Sequence, residues 1–537
     1  MRNIITKLIY IIIIVFVGVS MMSCEEQFGV SPITKAKETL VWSTHYRPRF
    51  FYPSMTLSEI EKQVVNQLYE GLTRFEDDHV KLGMAEKITV SDDYLVYDIK
   101  LKNAQWSDGK IIKTSDFIYS WEREENYKND VNLLYFDTFI DYVEVIDDKE
   151  FKIHLKYPND ELLKRLSTVE FMPLRSDIID LDLPIPIFLS DVTNGPYTFE
   201  NYKFIGGITL VKNIHYYDFY KVNIDEINVI FRNDDQLIYQ EFQEGSIDVV
   251  QDVDYTQLDK LLQNDSEFWI LDKPGVYSFT INSDNEKLRD IKLRQLMNLA
   301  IDRSALNPYD GLIEDSVTYS IFDEKTLEEL RKVNSSDFVY MGDLYSLNPN
   351  KPYVDVDKVT QLLKDLDPSV LDDLDDIKIT TTKNMNDILI ARKLKDCWEE
   401  YLNIRVQIEP KDRYDYAFML NSKSYDIILN NHYYVDFSPR HMLKYFLSDT
   451  ILNDTVFDSD KFDNIMMKTL IYDDSNLHKL YETAIKEVDN SSLMIPLFNT
   501  REPVLVDDTL KGWTRSYESL FNFGRAYKEV SEEDEEE

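Results

Sequence analysis

No flexible linker interrupts this chain, and that restricts its fold more than any single motif. A single hydrophobic core stops growing near roughly 250–300 residues, so a chain of 537 residues must divide into two or three bodies. Neither a Gly/Ser tract nor a proline-rich stretch marks the divisions, no internal repeat is visible, and the whole sequence holds only 14 glycines. The bodies are therefore expected to be joined by regular strands instead of loose tethers.

Composition supplies the cores, with 43% apolar and 13% aromatic residues. The 35 tyrosines couple apolar area to a polar tip, which suits a surface that grips varied ligands and equally suits ordinary tyrosine-rich strands. A net charge of −39 repels phosphate backbones and argues against a nucleic-acid partner. Acidic residues are spread along the chain and read as solubility, and residues 528–537 form an acidic tail.

The start of the chain follows a different logic. Arg2 and Lys7 precede an apolar run from Leu8 to Val19, shorter than the roughly 20 residues of a spanning helix and suited to a secretory leader. Ser23-Cys24 follows and looks like a lipobox, although Met21 and Met22 stand where leucine and a small residue are usual. The expectation is a leader at 1–23, a diacylated Cys24 and a tether at 24–37; an uncleaved anchor or a plain cleaved signal are the other readings. Cys397 is then the remaining thiol, so no internal disulfide is expected. It shares a helix face with Leu394, Trp398 and Tyr401 and reads as a small core residue.

Chemistry-bearing motifs are scarce. The seven histidines show no HxH or HExxH spacing, and no Gly-x-Ser-x-Gly elbow, Walker loop or Cys-x-x-Cys pair occurs. With 98 acidic residues, paired carboxylates carry no information. Neither an enzyme nor a bound cofactor or metal is expected.

Periodicity outlines α+β and then α/β organisation. Thr56-Leu57-Ser58-Glu59 reads as a capping box before Ile60, Val64 and Leu68, with Gly71 able to close the helix. Leu95, Tyr97, Ile99 and Leu101 alternate with polar residues, as do Phe151, Ile153 and Leu155. Strands are expected at Leu40–Trp42, Ile208–Val211, Ile227–Phe231, Tyr277–Asn282, Ile377–Thr381 and Ile404–Ile408. Helices are expected around Leu293–Ala300, Val359–Leu366 and Ile388–Tyr401. Residues 304–350 lack strong periodicity.

An ordered set of motifs then carries a resemblance. Leu68-Tyr69-Glu70-Gly71-Leu72, Trp106-Ser107-Asp108-Gly109 and Thr114-x-Asp116-Phe117-x-Tyr119-Ser120-Trp121 come first. Asn194-Gly195-Pro196-Tyr197, Gly245-Ser246-Ile247-Asp248, Ala300-Ile301-Asp302-Arg303 and Tyr425-Asp426-Ile427-Ile428 follow in order. Across residues 38 to 527 the chain resembles the bacterial extracellular solute-binding proteins of family 5, the receptors of oligopeptide, dipeptide and nickel ABC importers, and is most similar to the oligopeptide-binding members.

The resemblance implies an α/β fold of the periplasmic binding protein type II-like class, with two main lobes joined by hinge strands near residues 275 and 495 and a smaller inserted α+β lobe. Lobe I would comprise 38–55, 191–275 and 496–527, lobe II 56–190, and lobe III 276–495. It further implies a monomer that closes over a peptide and presents it to a membrane permease with its ATPase subunits, held to the exported face of the envelope by lipid on Cys24. Asp436 matches the family's aspartate for the peptide ammonium group, and by its own sequence it also reads as a turn former before Pro439. Asn431, His432, Tyr433 and Tyr434 would line one side of the ligand, and Thr44 and Tyr46 the other; Arg47 and Arg49 are candidates for the peptide carboxylate but read first as exposed arginines with acidic neighbours. Trp106, Phe117, Tyr119 and Trp121 read as core of the inserted lobe. A nickel or metal-chelate carrier on the same fold, and a surface lipoprotein with an adhesin or signalling role, are the alternatives.

Overall fold

The structure is a computed structural model that describes residues 38–48, 51–53, 58–76, 79–126, 139–178, 192–203, 206–251, 253, 267–306, 354, 356–371, 374, 376–434, 439–448, 450, 453–470 and 474–529. The leader, Cys24, the tether, Arg49, Asp436 and the end of the acidic tail lie outside these residues.

After strand β1 (Thr39–Thr44) the chain enters a helix at Glu59–Leu68. The Ser58 amide donates to Glu61 Oε2 at 3.0 Å, so the capping box begins at Ser58, two residues later than the sequence suggests. The expected closing role of Gly71 is also corrected. The helix ends on Tyr69 in extended conformation, and Gly71 serves close packing, because a Cβ there would lie 2.4 Å from the Leu166 carbonyl oxygen.

A hairpin of β2 (Thr73–Glu76) and β3 (His79–Leu82) leads to a four-stranded antiparallel sheet. Its strands are β4 (Ala85–Val90), β5 (Val96–Leu101), β6 (Ile140–Val145) and β7 (Glu150–Leu155), in the order β4-β5-β7-β6. Alternation explains it: Tyr97, Ile99 and Leu101 on β5 and Phe151, Ile153 and Leu155 on β7 are all buried. The Thr114–Asn126 helix lays Phe117 and Trp121 on this face, their rings 6.3 and 6.0 Å from Phe151. Trp106 is fully buried at the expected strand-end turn, donating from Nε1 to Asp116 Oδ2 at 3.0 Å.

Most of the remaining strands, with β1, build one ten-stranded sheet. Its further strands are β8 (Tyr197–Lys203), β9 (Gly207–Lys212), β10 (Glu226–Phe231), β11 (Val249–Val250), β12 (Phe268–Ile281), β13 (Lys378–Thr382), β14 (Gln407–Lys411), β15 (Ile427–Tyr433) and β16 (Met494–Val506). The order is β14-β13-β15-β12-β16-β11-β1-β10-β9-β8. The long strands β12 and β16 stand in the middle and join two half-sheets, which is how the chain dispenses with a linker.

Among the described residues the two largest of four apolar clusters are separate. One apolar cluster runs from Leu40 and Trp42 on the first half-sheet through Leu68 and Tyr97 to Phe523, so the inserted segment and the first half-sheet share a core. Another gathers Phe279, Leu296, Ile379, Trp398 and Ile427 around the second half-sheet. Cys397 is buried beside Trp398 on the Met385–Leu402 helix, as its spacing implies. A two-stranded piece of β17 (Leu510–Lys511) and β20 (Tyr527–Lys528), and a hairpin of β18 (Thr514–Arg515) and β19 (Phe521–Asn522), return the chain to the first half-sheet.

Candidate functional site

Strand directions place the site. β1 runs parallel to β10 and β11, and β11 pairs with the far end of β16 at Leu505–Val506. β13 and β14 run parallel to β15, which pairs with Gly275–Ile281 of β12. Following these registers inward, β15 ends at the level of Gly275 on β12 and Thr500 on β16, while β1 runs toward it from the opposite direction and ends at the level of Val504. Crevices outside the carboxyl ends of parallel strands are where open α/β sheets bind ligands.

The ribbon is irregular at the level of Gly275 and Thr500. Asp272 pairs with Arg501 and Val276 with Asn499, so Lys273, Pro274 and Gly275 oppose Thr500 alone. Gly275 pairs on its other side with Tyr433, and the Tyr434 amide donates to the Pro274 carbonyl at 2.8 Å. A Cβ on Gly275 would meet His432 O at 2.6 Å and Thr500 Oγ1 at 2.9 Å. Thr500 Oγ1 in turn donates to Asn431 Oδ1 at 2.5 Å.

The expected ligand residues fall on both sides of this level. Asn431, His432, Tyr433 and Tyr434 form the end of β15 and the residue after it; the Tyr433 side chain and the 435–438 segment carrying Asp436 lie outside the described residues. His432 is 4% exposed, with Nε2 at 3.2 Å from Thr280 Oγ1 and Nδ1 at 3.5 Å from Asp454 Oδ2. Tyr434 is buried edge-on to Tyr445, ring centroids 5.2 Å apart. On the side of β1, Thr44 is buried at the strand's end and accepts the Tyr46 amide at 3.3 Å, while Tyr46 is 53% exposed. Arg47 stands over the Phe231 ring at 5.9 Å.

Three residues that sequence reasoning passed over also belong to this level. Asp454 Oδ2 accepts Asn430 Nδ2 at 2.7 Å as well as facing His432, so one carboxylate holds two residues on one face of β15. Asp387, in the first turn of the Met385–Leu402 helix, accepts the hydroxyls of Tyr277 and Thr382. Burial raises its carboxyl above the usual range despite those bonds. Tyr277 stacks on Phe498 with centroids 4.9 Å apart, tying the site floor to β16. Local pattern gives no sign of Asp387 or Asp454, since their partners arrive from distant strands. Among the described residues no group of three His, Cys, Asp or Glu side chains is placed to hold a metal ion, and no helix is long and apolar enough to cross a membrane.

Residues 79–454 match the family model of the bacterial extracellular solute-binding proteins, family 5 (Middle). The chain belongs to that family. Among family 5 relatives, it is 24% identical to the oligopeptide-binding protein OppA of Bacillus subtilis (strain 168) over 418 residues, covering 73% of this chain and 74% of that protein. Against the periplasmic oligopeptide-binding protein OppA of Salmonella typhimurium the identity is 23% over 524 residues, covering 89% and 90%. In fold it is similar to the Haemophilus influenzae OppA complex with RPPGFSPFR, with a TM-score of 0.76 at 19% identity, covering 92% of this chain and 99% of that one. The family 5 chain therefore has the periplasmic binding protein type II-like α/β fold that its sequence suggests.

Proposed function

We propose that this family 5 protein captures peptides between its two half-sheets and delivers them to the permease of an ABC importer. The observation that carries this reading is that β1 and β15 run toward each other along a shared two-strand ribbon, their carboxyl ends bracketing the stretch from Thr500 to Val504. Such a cleft can shut over an extended guest without covalent chemistry, and peptide-binding relatives of matching length support the choice of guest. Peptides differ in side chains but share a backbone, so strand-like hydrogen bonding and hydrated side-chain space would serve a general receptor. In this reading Asp436 holds the peptide ammonium group, Asn431, Tyr433 and Tyr46 contact the backbone or side chains, and His432, Thr44 and Tyr434 set the walls behind them. The protein would act as a monomer, held to the envelope by lipid on Cys24.

A charge-assisted hydrogen bond contributes about 1.5–3 kcal/mol, which is roughly ten- to hundredfold in affinity. Asp436→Ala should weaken peptides with free amino termini by that factor and leave amino-acetylated ones nearly unchanged, read by calorimetry. Equal loss for both would remove the anchor role. Absence of any thermal shift with a mixed peptide library, beside a shift with nickel or a sugar, would replace peptide by another solute.

A further inference from the structure

The irregular point of the ribbon carries a buried charge. Lys273 is 4% exposed although it sits between Asp272 and Pro274 in what reads as a surface turn. Its Nζ lies 2.7 Å from Glu502 Oε2 on β16, contacts Glu59 Oε1 at the start of the inserted segment's first helix, and reaches the Ser519 carbonyl in the β18–β19 hairpin at 3.5 Å. Glu502 also accepts Gln251 Nε2 at 2.8 Å, just past β11. Arg515 of the same hairpin donates to the Asp272 carbonyl at 2.7 Å, and Arg501 pairs with Asp272 Oδ1 at 3.0 Å. Burial alone would depress the Lys273 ammonium, but Glu502 and Glu59 outweigh it and raise its pKa, so it stays charged.

Among the described residues the partners of Lys273 are Glu502 on the β16 end that pairs with β11, Glu59 of the inserted segment and Ser519 of the carboxyl-terminal hairpin; none comes from the second half-sheet. The next residues behave in the opposite way. Pro274 and Gly275 are bonded to Tyr434 and paired with Tyr433 of β15, and Thr500 to Asn431. The change of allegiance takes one peptide unit on β12.

We propose that Lys273 is the positioning residue of the clamp, an ionic clasp that fixes one face of the pivot so that bending is confined to Pro274–Gly275 and Asn499–Thr500. This rests on the closing motion of the proposed function. A buried ion pair of this kind serves definition of geometry better than net stability, since breaking it leaves a charge stranded. Without the clasp the ribbon can bend at several levels, the binding-competent arrangement is a smaller fraction of the ensemble, and apparent affinity falls by that fraction whatever the guest. The ligand itself never touches Lys273.

The test places spin labels on the two half-sheets of the full chain, at Tyr220→Cys and Tyr414→Cys, which are 93% and 79% exposed, and measures their distance distribution with and without peptide. Lys273→Met should broaden the ligand-free distribution and weaken a panel of unrelated peptides by one common factor, on the order of tenfold. Glu59→Gln, at the 39% exposed end of the cluster, folds under milder perturbation and should shift both readouts in the same direction by about two- to threefold. An unchanged distribution in the folded variants, or losses that depend on peptide side chains, would overturn the clasp. If the parent chain binds no peptide, the peptide reading falls, and the ligand-free distribution alone still decides the role of Lys273.

Discussion

At the scale of single residues, buried charge separates what local pattern shows from what it hides. Asp489 is 3% exposed, and its Oδ1 has no hydrogen-bond partner among the described residues. Desolvation raises its pKa well above the unfolded value of 3.8. The sign follows: its stability contribution is complete below 3.8 and is lost as pH rises through the folded pKa, because folding then requires the carboxylate to take up a proton. Asp489→Asn, which mimics the protonated form, should raise the thermal midpoint at about pH 8, by roughly 1 °C for each kcal/mol recovered in a chain of this length, and leave it unchanged at about pH 3. Parallel melts at the two pH values check this. Trp106 and its turn are legible in sequence because Trp-Ser-Asp-Gly closes on itself, with the Gly109 amide on the Trp106 carbonyl at 2.8 Å and Gly109 at φ 83°. Lys273 is not, because its partners Glu59, Glu502 and Ser519 come from chain segments far away in sequence.

At the scale of elements, errors of reading have local causes. The strand expected at Tyr277–Asn282 is β12, Phe268–Ile281, more than twice as long because it is extended on its amino-terminal side. Asp272-Lys273-Pro274-Gly275 has every mark of a turn, yet its partners Arg501 and Thr500 keep it extended as a bulge. Likewise Ile404–Ile408 is expected as a strand, whereas β14 begins at Gln407. Asn403 ends the preceding helix at φ 55°, and the Ile404 amide returns to the Trp398 carbonyl at 3.1 Å, so the apolar residues 404 and 406 belong partly to the helix stop. The bulge gives an element-scale prediction. Gly275→Ala must fit a Cβ against His432 O and Thr500 Oγ1, and overpacking of that kind costs about 1–3 kcal/mol. Denaturant titration should show the loss, and peptide affinity should fall with it because β15 is displaced at its ligand end.

At the scale of the whole molecule, the division into bodies is legible from length and from missing linkers, and the type of fold from ordered motifs. The way the bodies share strands is not, since nothing near residue 249 announces a neighbour at 506. The inserted segment depends on the end of the chain: the Phe521 carbonyl accepts Asn66 Nδ2 at 2.8 Å and Gln67 Nε2 at 2.6 Å, and the amides of Phe521 and Phe523 donate to Gln63 and Gln67 at 2.7 and 3.0 Å. Phe521 and Phe523 also pack edge-on against Trp42, at 6.2 and 5.6 Å. Each stranded buried amide costs about 1–3 kcal/mol, comparable in sum to a domain's entire stability of about 5–15 kcal/mol. A chain ending at Trp513 should therefore show no cooperative melt by circular dichroism, although it retains every residue assigned to the cleft.

The same arrangement bears on how the protein is made. β11 lies between β1, the first of the described strands, and β16, and the Lys528 amide donates to Glu38 Oε1 at 3.0 Å. Among the described strands the earliest made thus waits for β16 before its sheet is complete, and pairing across such separations is slow. A nascent polypeptide that cannot lock prematurely remains threadable through a translocation pore until its final segment has crossed.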